Sequence, residues 1–199
     1  MVRTGSPGYI SNEAKASAVK IPLVKLSSAE PLVSGSARVG VTLRASTPGW
    51  TAGTRFSYQW LRNGQAIQRA TGSTYAVPAR DRNAVLQVRV TGMQAFYTTV
   101  TRTGAQHLIS YGILTAPTPY ITGILQAGRT LTAHAGAWTP GTQLRYQWYR
   151  NNQAIRGATT ATYRLGAADR GQAIKVQVLG SKDGYIGVWR TSAQKRIQP

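Results

Sequence analysis

Residues 55–67 read RFSYQWLRNGQAI, and residues 143–155 read QLRYQWYRNNQAI. The shared skeleton Y-Q-W-x-R-N-x-Q-A-I is too long for coincidence, so internal repetition governs the reading of the whole chain. The offset between the copies is 88 residues, as for Trp60 and Trp148, and it holds outward in both directions. It relates Gly35 to Gly123, Gly40 to Gly128, Trp50 to Trp138, Tyr75 to Tyr163, Asp81 to Asp169 and Arg102 to Arg190. No gap is needed between the Pro31/Pro119 and Thr103/Thr191 pairs. The register also runs backwards, because Tyr9, Tyr97 and Tyr185 fall in line. The expected organisation is a partial-repeat tail or linker over 1–30, one domain over 31–114, a short linker at 115–118 and a second domain over 119–199.

Alternation fills each copy. Phe56, Tyr58 and Trp60 share one parity, with Arg55, Ser57 and Gln59 on the other; Leu144, Tyr146 and Trp148 repeat the pattern. Side chains on a strand point alternately to its two faces, so each stretch reads as a half-buried strand with an aromatic inner face. Leu86, Val88 and Val90 alternate with Gln87 and Arg89, and Ile174, Val176 and Val178 with Lys175 and Gln177. Gly, Pro, Asn and Thr punctuate the intervals, as in TPGWTAG at 47–53 and RNG at 62–64. The predicted strands lie near 32–37, 40–46, 55–62, 65–68, 73–77, 84–92 and 97–104, and again one repeat later. Short strands between regular turns predict an all-β fold of two tandem sandwiches.

The chain has 24 Lys+Arg against 5 Asp+Glu, a net charge of +19, and no cysteine. Disulfides, thiolate metal sites and cysteine nucleophiles are thereby excluded. The positive surface attracts polyanions in general. No segment has the roughly 20 apolar residues of a membrane span, and the first residues lack the apolar core of a signal peptide.

The central W followed by R-N-x-x-x-I, a Tyr strand, and A-x-D before V-x-V resembles the immunoglobulin-like sandwich. The match is to a bacterial immunoglobulin-like repeat found in tandem in secreted actinobacterial cell-wall hydrolases and surface proteins. In the second unit it rests on Pro119, Ile121, Gly123, Gly128, Thr130–Ala133, Trp138–Gly141, Tyr146–Trp148, Ala158, Thr159, Tyr163, Asp169, Gly171, Val176, Val178, Gly184 and Tyr185. The first unit departs from it where Asn83 replaces Gly171 and Phe96 replaces Gly184. The resemblance implies that Trp60 and Trp148 are core tryptophans, with Tyr75 and Tyr163 near them. Leu43 or Ala45 should face Val88, and Leu131 or Ala133 should face Val176, where antibody domains place a disulfide. It also implies an accessory, non-catalytic role at the cell surface or outside the cell.

Few residues could do chemistry. Asp81 and Asp169 are repeat equivalents and read as turn aspartates that bond nearby backbone amides. His107 and His134 do not correspond and sit in no metal-binding frame, so neither metal nor cofactor is expected. Trp50 and Trp138, in G/A-W-T-x-G turns, either stack on a sugar ring or cover the open end of the sandwich. Trp189 and Tyr149 face Thr101 and Leu61 across the repeat, which makes them specific to the second unit. Arg55, Arg89, Arg145 and Lys175 fall on the outward parity of strands of one sheet and are the candidate polyanion site. No zinc finger, helix-turn-helix or RNP aromatic pair points to specific nucleic-acid binding.

The expected function is a module that attaches a protein to, or spaces it from, an anionic bacterial envelope, with an anionic cell-wall polymer or peptidoglycan as partner. The alternative is a structural subunit of a filament or phage particle. Residues 1–30 read as the final hairpin of a repeat whose own body is absent. Either the chain is a fragment of a longer array, with this segment frayed or folded against the first domain, or the segment adds strands to a neighbouring molecule, which is a route to self-assembly. The last strand of the first domain is expected to run through 105–114.

Overall fold

A computed structural model describes residues 22–199, and the readings placed on 1–21 lie outside it. The elements come in two matching series. The first contains β1 (Val24–Lys25), β2 (Leu32–Ser34), β3 (Thr42–Ser46), β4 (Arg55–Arg62), β5 (Gln65–Ala66), β6 (Thr74–Ala76), β7 (Val85–Met93), β8 (Tyr97–Thr98), β9 (Val100–Thr103) and β10 (His107–Leu108). The second contains β11 (Tyr120–Thr122), β12 (Thr130–His134), β13 (Gln143–Arg150), β14 (Gln153–Ala154), β15 (Thr162–Arg164), β16 (Ala173–Ser181), β17 (Val188–Thr191) and β18 (Lys195–Arg196). In the first unit a β2-β3-β6 sheet packs against a second sheet ordered β10-β7-β4-β5, with β9 also on β7. The second unit repeats this as β11-β12-β15 against β14-β13-β16-β17, with β18 also on β16. The protein is an all-β chain of two tandem immunoglobulin-like sandwiches. Among the described residues no helix is long and apolar enough to cross a membrane.

Each core forms around its tryptophan. Trp60 and Trp148 are fully buried, and each indole N–H donates to a backbone carbonyl twelve residues on, Gly72 and Thr160. Trp60 stacks on Tyr75 at 5.6 Å, and Trp148 on Tyr163 at 5.5 Å. Leu43 joins Val88 in the first core, and Leu131 and Ala133 join Val176 in the second. Branched and small side chains from opposing sheets thus fill the space that a disulfide spans in antibody domains.

The expectation for Asp81 needs correction. Asp81 and Asp169 are both completely buried. Asp169 accepts the Gly166 amide at 2.7 Å, as a turn aspartate should. Its other partners are Arg150 Nε at 2.6 Å and the Tyr163 hydroxyl at 2.9 Å. Asp81 takes only the side-chain donors, Arg62 at 3.0 Å and Tyr75 at 2.6 Å. Pro78 stands where the second unit has Gly166, and proline has no N–H to give. Burial, and then the bond to Asp81, push the Tyr75 phenol up to about 12 from 10.0. The Tyr163 phenol is raised for the same reasons, and the bond to Asp169 raises Arg150.

The strand expected over 105–114 is also different. Only His107–Leu108 forms a strand on β7. The chain then crosses to the other sheet, where Ser110 bridges Arg38 in parallel, and reaches the second unit, where Gly112 bridges Tyr185. It changes partner twice within six residues, so no single ladder can hold it. The same passage occurs one repeat earlier: Val24 pairs with Tyr97 as Gly112 pairs with Tyr185. The Thr51 amide donates to Ser27 and the Thr139 amide to Thr115; the Ser27 amide donates to the Thr51 hydroxyl and the Thr115 amide to that of Thr139. Leu26 and Leu114 are both buried. Residues 24–30 therefore lie against the first unit as 112–118 lie against the second.

Candidate functional site

Strand pairing sets three cross-strand rows on the outer face of the second unit's larger sheet. β16 pairs with both β13 and β17, so Trp189, Leu179 and Arg145 stand side by side. The next row is Thr191, Gln177 and Gln147, and the third is Lys175, Tyr149 and Ala154. Side chains directly opposite on one face touch, so each row is a contact set. Together they frame a groove of about 600 Å³, with Arg145, Gln147, Tyr149, Leu179 and Trp189 among its walls.

Several bonds hold this face in place. The Tyr149 hydroxyl donates to Gln177 at 2.8 Å, and the Gln177 amide donates to Thr191 at 3.2 Å. Lys175 Nζ lies 5.7 Å from the Tyr149 ring centre and donates to Asn152 at 2.7 Å. Gln147 is occupied beneath, donating to the carbonyls of Trp148 and Ile155. Trp189 has no such duty and is 53% exposed. A flat ring, an apolar floor at Leu179 and an open guanidinium at Arg145 can bind a sugar ring that carries an anion.

The four basic candidates do reach the outer faces, two in each unit. Arg55 and Arg89 sit on β4 and β7, with Arg55 opposite Met93 and Arg89 opposite Gln59. Arg145 and Lys175 sit on β13 and β16, opposite Leu179 and Tyr149. They are not repeat equivalents: the partner positions hold Gln143, Gln177, Ser57 and Gln87. Only the second pair shares its face with aromatic side chains, the exposed Trp189 and the half-buried Tyr149.

Trp50 and Trp138 do something else. A Cβ built on Gly92 would lie 2.7 Å from Trp50 Cε3, and one on Gly180 would lie 2.9 Å from Trp138 Cη2. Each ring rests on the backbone of the central strand, and each donates its N–H at 3.0 Å, to Ala29 and to Ala135. Trp50 also meets Phe56 edge-on at 5.3 Å. Both rings cover the ends of their sandwiches.

Sequence reasoning set Trp189 and Tyr149 apart as unrepeated but did not join them to Arg145 and Lys175. Strand register makes that connection. The usable signal was the concentration of departures from the repeat at outward positions of β13, β16 and β17. Among the described residues no group of three or more His, Asp or Glu could hold a metal ion.

No protein-family profile matches the chain, and neither does any curated protein sequence. Solved structures do. A Ca2+-stabilised adhesin with which an Antarctic bacterium binds ice is 15% identical, matching 88% of this chain and 50% of its own, with a TM-score of 0.39. The three N-terminal domains of the bacteriophage RB49 highly immunogenic outer capsid protein are 15% identical, over 84% of this chain and 58% of theirs, with a TM-score of 0.39. An amphioxus IgVJ-C2 molecule is 13% identical, over 83% of this chain and all of its own, with a TM-score of 0.37. The chain thus spans about half the length of the first two.

Proposed function

We propose that the chain is a non-catalytic extracellular module that holds a protein on the anionic surface of a bacterial envelope, and that the second unit does the holding. The observation that carries this is the groove of Trp189, Tyr149, Leu179 and Arg145, with Lys175 beside it over the Tyr149 ring, which the first unit lacks. The ligand it suits is an acidic glycan of the wall, with a pyranose face on Trp189 and its anion on Arg145. The net charge of +19 brings such a polymer to the surface from a distance of about 10 Å at 0.1 M salt. The first unit, with Arg55 and Arg89 on a face of Thr, Ser and Gln, adds charge and length. The buried, ion-paired state of Asp81 and Asp169 supports a structural role for both.

Binding to isolated Gram-positive cell walls at rising salt tests this reading. Retention should fall with salt, and Trp189→Ala should weaken it about 2- to 10-fold, the equivalent of about 0.5–1.5 kcal/mol of aromatic stacking. Absence of binding at low salt would leave a spacer. Equal competition by duplex DNA would reduce the interaction to charge alone.

The alternative, a decoration or fibre subunit of a filament or phage particle, draws on one observation: the two units meet through a fitted contact rather than a free linker. Particles that lose the protein on washing with salt and acidic glycan would speak for the wall reading.

A further inference from the structure

The contact between the two units has a socket and a key. The key is the turn between β16 and β17 that carries Gly184 and Tyr185. The socket is the far end of the first unit, where Val39, Gly40 and Ala79 lie. Tyr185 packs on the first core, its ring pressed to Gly40 so closely that a Cβ there would sit 2.8 Å from Cζ. On the key's own side, the Gly112 amide donates to Gly184 at 2.9 Å and the Ile186 amide to Gly112 at 3.1 Å, as the Val24 amide donates to Phe96 one repeat earlier. Gly184 is obligatory in this arrangement: a Cβ on it would lie 2.8 Å from Ala79 Cβ and 2.9 Å from Ala79 Cα. A backbone clash of that kind has no rotamer to relieve it.

The second unit builds the same socket at its own far end and leaves it open. Gly128 matches Gly40, with φ +85° against +83°, and a Cβ on Gly128 would meet nothing within 4 Å. The Gly128 amide donates to Leu165 at 2.8 Å just as Gly40 donates to Val77 at 2.9 Å, so the loop holds the same shape empty as filled. Ala167 matches Ala79, and Ala127 matches Val39 with a smaller side chain. We propose that the surface of Ala127, Gly128 and Ala167 is a docking site for the Gly-Tyr turn of a further immunoglobulin-like unit. The occupant is defined by the filled copy: an aromatic ring lies on the glycine, and a residue without Cβ passes Ala167.

The first unit of a second copy does not meet that description. Its corresponding turn is Phe96–Tyr97, and Phe96 carries the Cβ that the alanine backbone rejects. Phe96 is 81% exposed beside Val24, whose amide donates to its carbonyl at 3.0 Å. The two ends of the molecule are therefore mismatched, and the site selects a partner other than this chain's own first unit.

The test is the full chain extended after Pro199 by a second copy of residues 112–199, which continues the 88-residue register. Nitration of the appended copy's Tyr185 ring by tetranitromethane should be slowed at least about tenfold relative to the same extended chain carrying Ala167→Arg, because only docking covers that ring. The original Tyr185, already seated on Gly40, provides the internal reference and should not change. Burial of the appended copy's Trp148, read by fluorescence, shows that the added unit is folded. A folded added unit whose Tyr185 reacts at the same rate with and without Ala167→Arg overturns the proposal. So does a head-to-tail assembly of the unmodified chain, in sedimentation, that Ala167→Arg abolishes. The expected result for the unmodified chain is a monomer at this surface.

Discussion

Trp60 on Tyr75 and Trp148 on Tyr163 are nearly the same object, with ring separations of 5.6 and 5.5 Å and interplanar angles of 27° and 30°. On the outer side of the same sheets the likeness stops. Thr101, Thr91 and Ser57 form the row that Trp189, Leu179 and Arg145 form in the second unit. Inner positions answer to packing, where a lost methylene is felt at once. Outer positions answer to solvent and to partners, and are free to diverge. The lesson is that in a repeated chain the function is written where the copies disagree on an exposed face, and the fold where they agree.

Removing a core tryptophan should break the comparison hardest. Trp60→Ala and Trp148→Ala should each cost about 3–5 kcal/mol in the unit that holds it. That is a large share of the stability of a domain this size. Calorimetry should show one transition displaced and the other nearly in place. Equal loss in both units for either substitution would mean that the contact at Tyr185 and Gly40 makes them one cooperative body.

A smaller effect separates the two aspartates. Asp81→Ala and Asp169→Ala each strip a tyrosine hydroxyl and an arginine of their acceptor, at about 1–3 kcal/mol. Arg62 and Arg150 are 40% and 32% exposed, so water recovers part of that loss. Asp169→Ala also orphans the Gly166 amide and should be the costlier of the two. Denaturant melts that rank Asp81→Ala as the more damaging would contradict the role given to Pro78.

Alkaline titration should then weaken both units. A tyrosine with a raised folded pKa stays protonated where the unfolded chain has already ionised. Its contribution is complete below about pH 10 and is lost as the pH rises through the folded value. For Tyr75 that window runs from 10.0 to about 12. Tyr163 is shifted in the same direction, so the second unit should follow. Phenolate absorbance recorded alongside unfolding checks this. Stability that is flat across the window would show that burial and the bonds to Asp81 and Asp169 do not hold the phenols protonated.

The alternating aromatic strands and the constant offset made the sandwiches and both core tryptophans legible before any coordinates. The divided end strand was not legible, because its partners at Arg38 and Tyr185 are remote in sequence. Asp81 misled because Pro78, three residues before it, has no amide to give, which leaves it only arginine and tyrosine donors 19 and 6 residues away. The groove was half visible. Trp189 and Tyr149 stood out as unrepeated, but they are 40 residues apart, and only the register of β13, β16 and β17 makes them walls of one surface.

The smallest effect on stability, and the sharpest test of the comparison, comes from grafting that surface. Ser57→Arg, Leu61→Tyr, Gln87→Lys, Thr91→Leu and Thr101→Trp would write the second unit's outer rows onto the first. Four of these positions are partly or fully exposed, where single changes usually stay within about ±0.5 kcal/mol. Leu61 is 5% exposed and carries most of the risk, so the graft should also be made without it. If the outer face alone decides binding, the grafted chain gains a second site and retains cell walls longer, because the two sites then act on one polymer at high effective concentration. The gain should survive Trp189→Ala as a single-site level of binding. A correctly folded graft that binds no better than the parent chain would show that the rows are insufficient without the groove's wall at Leu144, where the first unit has Phe56. The difference between the units would then lie deeper than their outer faces.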